Sequence, residues 1–208
     1  MSTNPLLTLL SDTAREEGPL LAAALEQFAL TGVRRTSTDD IARRAGVNRA
    51  TLYRRLGTKD EIVSAAFLYE ASRVLAQIDT ELGDLGDDVD GRDGYIVRFF
   101  VITLTTLRQN RLLRQLLEVD RDEILRALTI GAGRVLELAS QYLVVRIREI
   151  RAHTGGPTDA AEIAALSGVL ARLTQSMLLT PDGPPATQTT DQMRAFAQTV
   201  LVPMIRGR

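Results

Sequence analysis

The chain has 208 residues, 25 basic and 26 acidic side chains, a formal net charge of −1 and a hydrophobic fraction of 45%, enough apolar material for one good-sized domain or two small ones. It contains no cysteine, which excludes disulfides, thiolate metal sites and cysteine nucleophiles and fits a reducing compartment. The opening "MSTNPLLTLLSDTAREEGP" has only a short apolar run with no basic stretch before it, so no signal peptide is expected. No apolar stretch reaches bilayer length, so a soluble, cytoplasmic protein with no membrane partner is expected.

In chain order, the apolar spacing predicts helices almost everywhere. Residues 12–31 carry Leu20, Leu21, Ala24, Leu25, Phe28 and Ala29 at intervals of three and four, and Gly32 stands at the C-cap place. Ser37 and Asp40 form a capping-box pattern ahead of a short helix with Ile41, Ala42 and Ala45, ended by Gly46. Asn48 can cap a third helix through Ala50, Leu52, Tyr53 and Leu56 to Gly57, and Thr58 with Glu61 opens a long fourth helix reaching Ile78. The run "GDLGDDVDGRDG", residues 83–94, marks an acidic loop; its spacing fails the calcium-loop pattern, and a solvated linker without metal is expected. "YIVRFFVITLTTL" is apolar nearly all round and suits a helix buried on most sides. Residues 111–130 read as one or two short helices and residues 131–152 as another. Residues 158–179 and 188–206 read as two more, separated by "TPDGPP". The fold expected is all-α, with about nine helices and no strands.

Charge is unevenly distributed. From Val33 to Lys59 eight basic residues face only Asp39 and Asp40, so a segment of net charge +6 sits on a body of about −7. Two short helices joined at Gly46-Val47 match a helix-turn-helix, whose second helix lies in the DNA major groove while the first crosses the backbone. Ile41, Val47 and Leu52 would pack the pair together. Arg49, Ala50 and Arg54 are then left on the outer face of the second helix, where arginine can bond guanine and an alanine methyl can touch thymine. Ser37, Thr38, Arg43, Thr51, Tyr53, Arg55 and Lys59 offer hydroxyls or charge at the margins, where phosphates would lie. Helix N-termini at Ser37 and Asn48 add oriented N–H groups.

Residues 36–62, within "TSTDDIARRAGVNRATLYRRLGTKDEIVSAAF", resemble the DNA-binding signature of TetR-family transcriptional regulators. Asn48 replaces the common serine cap, Arg55 stands where histidine or tyrosine is frequent, and Leu56 replaces phenylalanine. None of these changes removes a cap, a packing residue or a phosphate donor. The resemblance implies an N-terminal three-helix DNA-binding domain at residues 1–57 and an effector-binding and dimerisation domain at 58–208. It also implies a homodimer through the last two helices, residues 158–206, and a palindromic duplex DNA operator released when a small molecule binds. Candidates to line the effector cavity are Phe99, Phe100, Thr103, Leu107, Leu117, Leu128, Tyr142 and Met177, although each also reads as plain core. A mostly apolar wall would suit a hydrophobic or aromatic effector, with no cofactor.

Catalysis has little support. The single histidine, His153, lies at a helix end in "RAHTGG", where a partner for the helix dipole is the simpler role. "TIGAGR" is neither a G-x-G-x-x-G loop nor preceded by a strand. An architectural DNA binder would use the same basic segment but show weak sequence discrimination and steep salt dependence. A protein-interaction module that has lost DNA binding would have no use for Thr51, Tyr53 and Lys59.

Overall fold

The computed structural model describes the backbone of residues 5–83 and 93–207, and the side chains within those ranges from Glu16 onward. Among the described residues every regular element is helical. Helix α1 spans Pro5–Thr31, α2 Thr38–Arg44, α3 Arg49–Leu56 and α4 Lys59–Leu82. Then come α5 Gly94–Gln109, α6 Arg111–Val119, α7 Arg121–Leu128, α8 Gly133–Thr154 and α9 Ala160–Leu179. The last helix is divided into α10, Thr190–Phe196, a π-helical turn at Ala197–Leu201, and α11, Val202–Arg206.

The all-α reading holds, and the differences are local. Helix α1 begins at Pro5 rather than near residue 12; proline suits a first helical position because its missing N–H would be unpaired there anyway. Residues 111–128 separate into α6 and α7 because Asn110 caps the first, accepting from the Leu113 N–H at 2.7 Å, and Asp120 leaves helical geometry between them. Within the last helix Pro203 cannot donate to the preceding turn. The π turn just before it absorbs the change of pitch, with the Val202 N–H reaching back to the Ala197 carbonyl. Most of the acidic loop expected at residues 83–94 lies outside the described residues.

The chain forms two compact units. One comprises Leu7–Arg73 and Gln109–Val135; the other contains Val74–Arg108 and the chain from Leu136 onward. In the first unit Leu21, Ala24, Leu25 and Phe28 of α1 pack with Ile41, Leu52, Leu56, Ile62 and Ala66, and Leu116 of α6 and Ile124 of α7 close the same core. This unit therefore extends well past residue 57.

The second unit is built on α5, where no residue from Gly94 to Arg108 is exposed, as the apolar run predicts. Arg151, fully buried near the end of α8, donates to the carbonyls of Ile205 at 2.7 Å and Pro157 at 2.9 Å and to Glu162 at 2.9 Å, fastening α11, the loop before α9 and the first turn of α9 to α8. His153 is exposed in the last turn of α8.

Candidate nucleic-acid interface

The geometry of α2 and α3 is fixed by caps at each end. The Ser37 hydroxyl accepts from the Asp40 N–H at 3.1 Å, while the Asp40 carboxylate accepts from the Ser37 N–H at 3.0 Å. Hydrogen bonds from the Ser37 hydroxyl and N–H, supported by Arg43, hold the Asp40 carboxyl below its ordinary pKa. Gly46 then takes φ +68°, a left-handed turn that side chains resist, and the Val47 N–H closes on the Ala42 carbonyl at 3.0 Å. Asn48 caps α3 by accepting from the Thr51 N–H at 2.7 Å. Gly57 ends α3 at φ +79°, where an added Cβ would lie 2.3 Å from the Glu61 carboxylate. That carboxylate caps the start of α4 by accepting from the Thr58 N–H at 2.7 Å and hydroxyl at 2.8 Å, and these bonds lower its pKa too.

Ile41, Ala42, Leu52 and Leu56 face inward and are buried, with Val47 packed against the same core. What remains outside is mostly basic or hydroxylic, with Ala50 and the exposed carboxylate of Asp39 among them. Ser37, Arg43, Arg49, Ala50, Tyr53, Arg54 and Arg55 are exposed, and Thr38, Thr51 and Lys59 are half-buried. Tyr53 leaves 57% of its surface in solvent. Arg34, Arg35, Thr36, Ser37, Thr38, Arg49, Tyr53, Thr58 and Lys59 line an open hollow of about 520 Å³. Four cations and four aliphatic hydroxyls with a phenol, and no carboxylate in the lining, make a surface suited to a polyanion.

Several of these side chains also hold the surface together. The Lys59 ammonium donates to the Arg34 carbonyl at 3.1 Å, the Arg35 guanidinium to the Thr31 carbonyl at 2.8 Å and the Arg55 guanidinium to the Glu16 carbonyl at 2.6 Å. Asp120, between α6 and α7, accepts from the Arg34 N–H at 3.0 Å and so fixes the loop that carries Arg34 and Arg35. Sequence reasoning passed over Arg34, Arg35, Thr36 and Asp120 as site residues, and read Thr58 only as a helix cap. The first three follow the Gly32 stop and were legible as part of the basic segment; Asp120 is 86 residues from its partner and gives no local signal.

The effector candidates separate between the units. Leu117 and Leu128 pack against the core of the unit that carries the helix-turn-helix, whereas Phe99, Phe100, Thr103, Leu107, Tyr142 and Met177 belong to the other. There the rings of Phe99 and Tyr142 lie 6.1 Å apart. The Tyr142 hydroxyl donates to Asp79 at 3.1 Å, and Arg146 pairs with both Asp79 and Glu149. Burial raises the pKa of Tyr142; it works against the charge on Arg146, but the hydrogen bond to Asp79 and the interactions with Tyr142 and Tyr95 together outweigh it and raise that pKa as well. The Tyr95 and Thr103 hydroxyls are buried with no hydrogen-bond partner among the described residues. Among the described residues no group of three potential ligands could hold a metal ion, and no helix is long and apolar enough to cross a membrane.

A capped helix-turn-helix with a basic outer face, carried on an all-α body, defines a DNA-binding transcriptional regulator. Residues 20–66 match the family model of bacterial regulatory proteins, tetR family, and residues 94–198 match that of the bacterial tetracyclin repressor C-terminal domain. The chain belongs to the TetR family of transcriptional regulators. It is 28% identical over 171 residues to an HTH-type transcriptional regulator of Mycobacterium bovis, covering 81% of this chain and 85% of that one. An HTH-type transcriptional repressor of Mycobacterium tuberculosis is 37% identical over 71 residues, which is 33% of this chain and 38% of the repressor. Among solved structures, the TetR-family repressor AlkX from a Dietzia strain superposes with a TM-score of 0.65 at 18% identity, covering 91% of this chain and 94% of the repressor. The transcriptional repressor QsdR from R. erythropolis gives 0.62 at 19% identity, covering 94% and 96% respectively.

Proposed function

We propose that the chain is a cytoplasmic, ligand-responsive repressor rather than an enzyme, binding a palindromic operator as a homodimer and releasing it when a hydrophobic or aromatic molecule enters the C-terminal domain. The observation that carries this reading is the outward face of α3, where Arg49, Ala50, Tyr53 and Arg54 stand exposed beside the basic hollow while the opposite face is fully committed to the core. Arg49, Ala50 and Arg54 read base edges; Ser37, Thr38, Arg43, Thr51, Tyr53, Arg55 and Lys59 contact phosphates. Functionally the division falls after residue 57, with the helix-turn-helix before it, Lys59 just beyond it adding a phosphate contact, and effector binding and dimerisation assigned to 58–208.

The dimer forms through residues 158–206. Val169, Val200 and Met204 are large apolar side chains left exposed there, and isologous pairing would cover them. For the effector, the support is the aromatic interior around Phe99 and Tyr142 and the buried Thr103 hydroxyl, which has no hydrogen-bond partner among the described residues, an apolar wall with a polar handle. Repression is the sense carried by the name of the mycobacterial relative matched over 71 residues. A competition titration checks the reading. The operator duplex should bind ~10³-fold or more tightly than a scrambled duplex at physiological salt, and binding within tenfold of scrambled DNA would favour an architectural protein.

A further inference from the structure

Two carboxylates sit within the basic segment, and only one is needed by the fold. Asp40 completes the cap of α2, accepting from the Ser37 N–H and hydroxyl and pairing with Arg43. Asp39 takes no part in that cap. Its partner is Arg49, the first residue of α3, across the turn: the Arg49 Nη1 donates to the Asp39 carboxylate at 3.2 Å. The two side chains are 67% and 60% exposed, so the pair contributes little to folding. A first-turn carboxylate suits the dipole of α2, but Asp40 supplies one already. On a surface that meets phosphates, an acid with no structural task is a liability.

The liability is explained by what Asp39 does to Arg49. A guanidinium carries five N–H donors in one plane. With Nη1 drawn toward Asp39, the side chain is biased to fewer orientations and its remaining donors stay available for the O6 and N7 acceptors of a guanine. Part of the cost of ordering a long, flexible side chain is thus met before DNA arrives, and the pair strengthens as docking excludes water. We propose that Asp39 is a positioning residue for sequence reading: it sets the geometry in which Arg49 recognises one guanine in each half-site. The inference rests on the DNA-reading function proposed above.

The test is selection from a random duplex pool by four full-length proteins: wild type, Asp39→Asn, Arg49→Ala and the double variant, with thermal melts to establish that each is folded. Asp39→Asn should lower discrimination at the base pair that Arg49→Ala blurs, by about two- to tenfold, the cost of ordering one long side chain. It should leave affinity for scrambled DNA unchanged or higher, and add nothing in the double variant. A merely structural aspartate would move none of these base preferences selectively. Unchanged discrimination in Asp39→Asn, blurring at a different base pair, or additive effects in the double variant would overturn the positioning role while leaving the operator intact. If wild type itself selected no motif, the underlying DNA-reading function would fall, and this inference with it.

Discussion

Asp40 and Glu61 lie three residues after a hydroxyl cap, and the bonds they accept lower both pKa values. A carboxylate with a depressed folded pKa contributes stability above its unfolded pKa and loses it as pH falls through the folded value. The caps of α2 and α4 should therefore hold undiminished above the ordinary values of 3.8 and 4.5 and weaken below them. In acid titrations followed by circular dichroism, Asp40→Asn and Glu61→Gln should flatten this part of the curve; an unaltered curve would mean that the caps add no stability. Arg49→Ala should cost ~1–3 kcal/mol on the operator and relax one base pair per half-site. Lys59→Ala should weaken all duplexes alike and reduce the salt slope by about one. Binding in a salt series on operator and scrambled duplexes distinguishes the two, and an identical pattern for both variants would contradict the division into base and phosphate contacts. The caps were legible in the sequence because each joins residues three apart. The bonds from Lys59 to the Arg34 carbonyl and from Arg55 to the Glu16 carbonyl span 25 and 39 residues, and no local pattern announces them.

At the scale of elements, periodicity located the helices and glycine their ends, but long-range contacts decided the details. The π turn before Pro203 is one case: the proline was plain in the sequence, yet whether it would break, bend or widen the helix depended on Leu201, Val202 and Ile205 remaining buried together. Arg151 is another. As one arginine among many near the end of a predicted helix it carried no signal of its own, yet it is fully buried and binds the carbonyls of Pro157, Met204 and Ile205. Arg151→Ala removes several buried hydrogen bonds and leaves a cavity, so it should destabilise the chain by about 3–5 kcal/mol. Thermal unfolding checks this, with a fall of roughly 10 °C expected; a change under 2 °C would show that the carbonyls find other partners.

For the whole molecule, sequence reasoning divided the chain where the resemblance placed a domain boundary, while the compact units follow side-chain packing. Leu117 and Leu128, candidates for the cavity because they are apolar and lie in the middle of the chain, pack on the core that contains Phe28, Ile41 and Leu52, a pairing that no spacing along the sequence encodes. The apolar side chains exposed at Val169, Val200 and Met204 lead to a prediction for assembly. Wild type should sediment as a dimer at micromolar concentration and Val169→Glu as a monomer, because pairing would bury a charge against its own copy; a monomeric wild type would contradict the assembly. Family membership and the all-α fold follow from the sequence and the comparisons together. The central functional claim is that two copies of α3 read one operator. Its most direct test is selection of sites by wild-type protein from a random duplex pool at near-physiological salt. The account predicts a palindrome whose half-site centres lie about one DNA turn, roughly 34 Å, or a little more apart. Salt-sensitive binding that enriches no motif would contradict it.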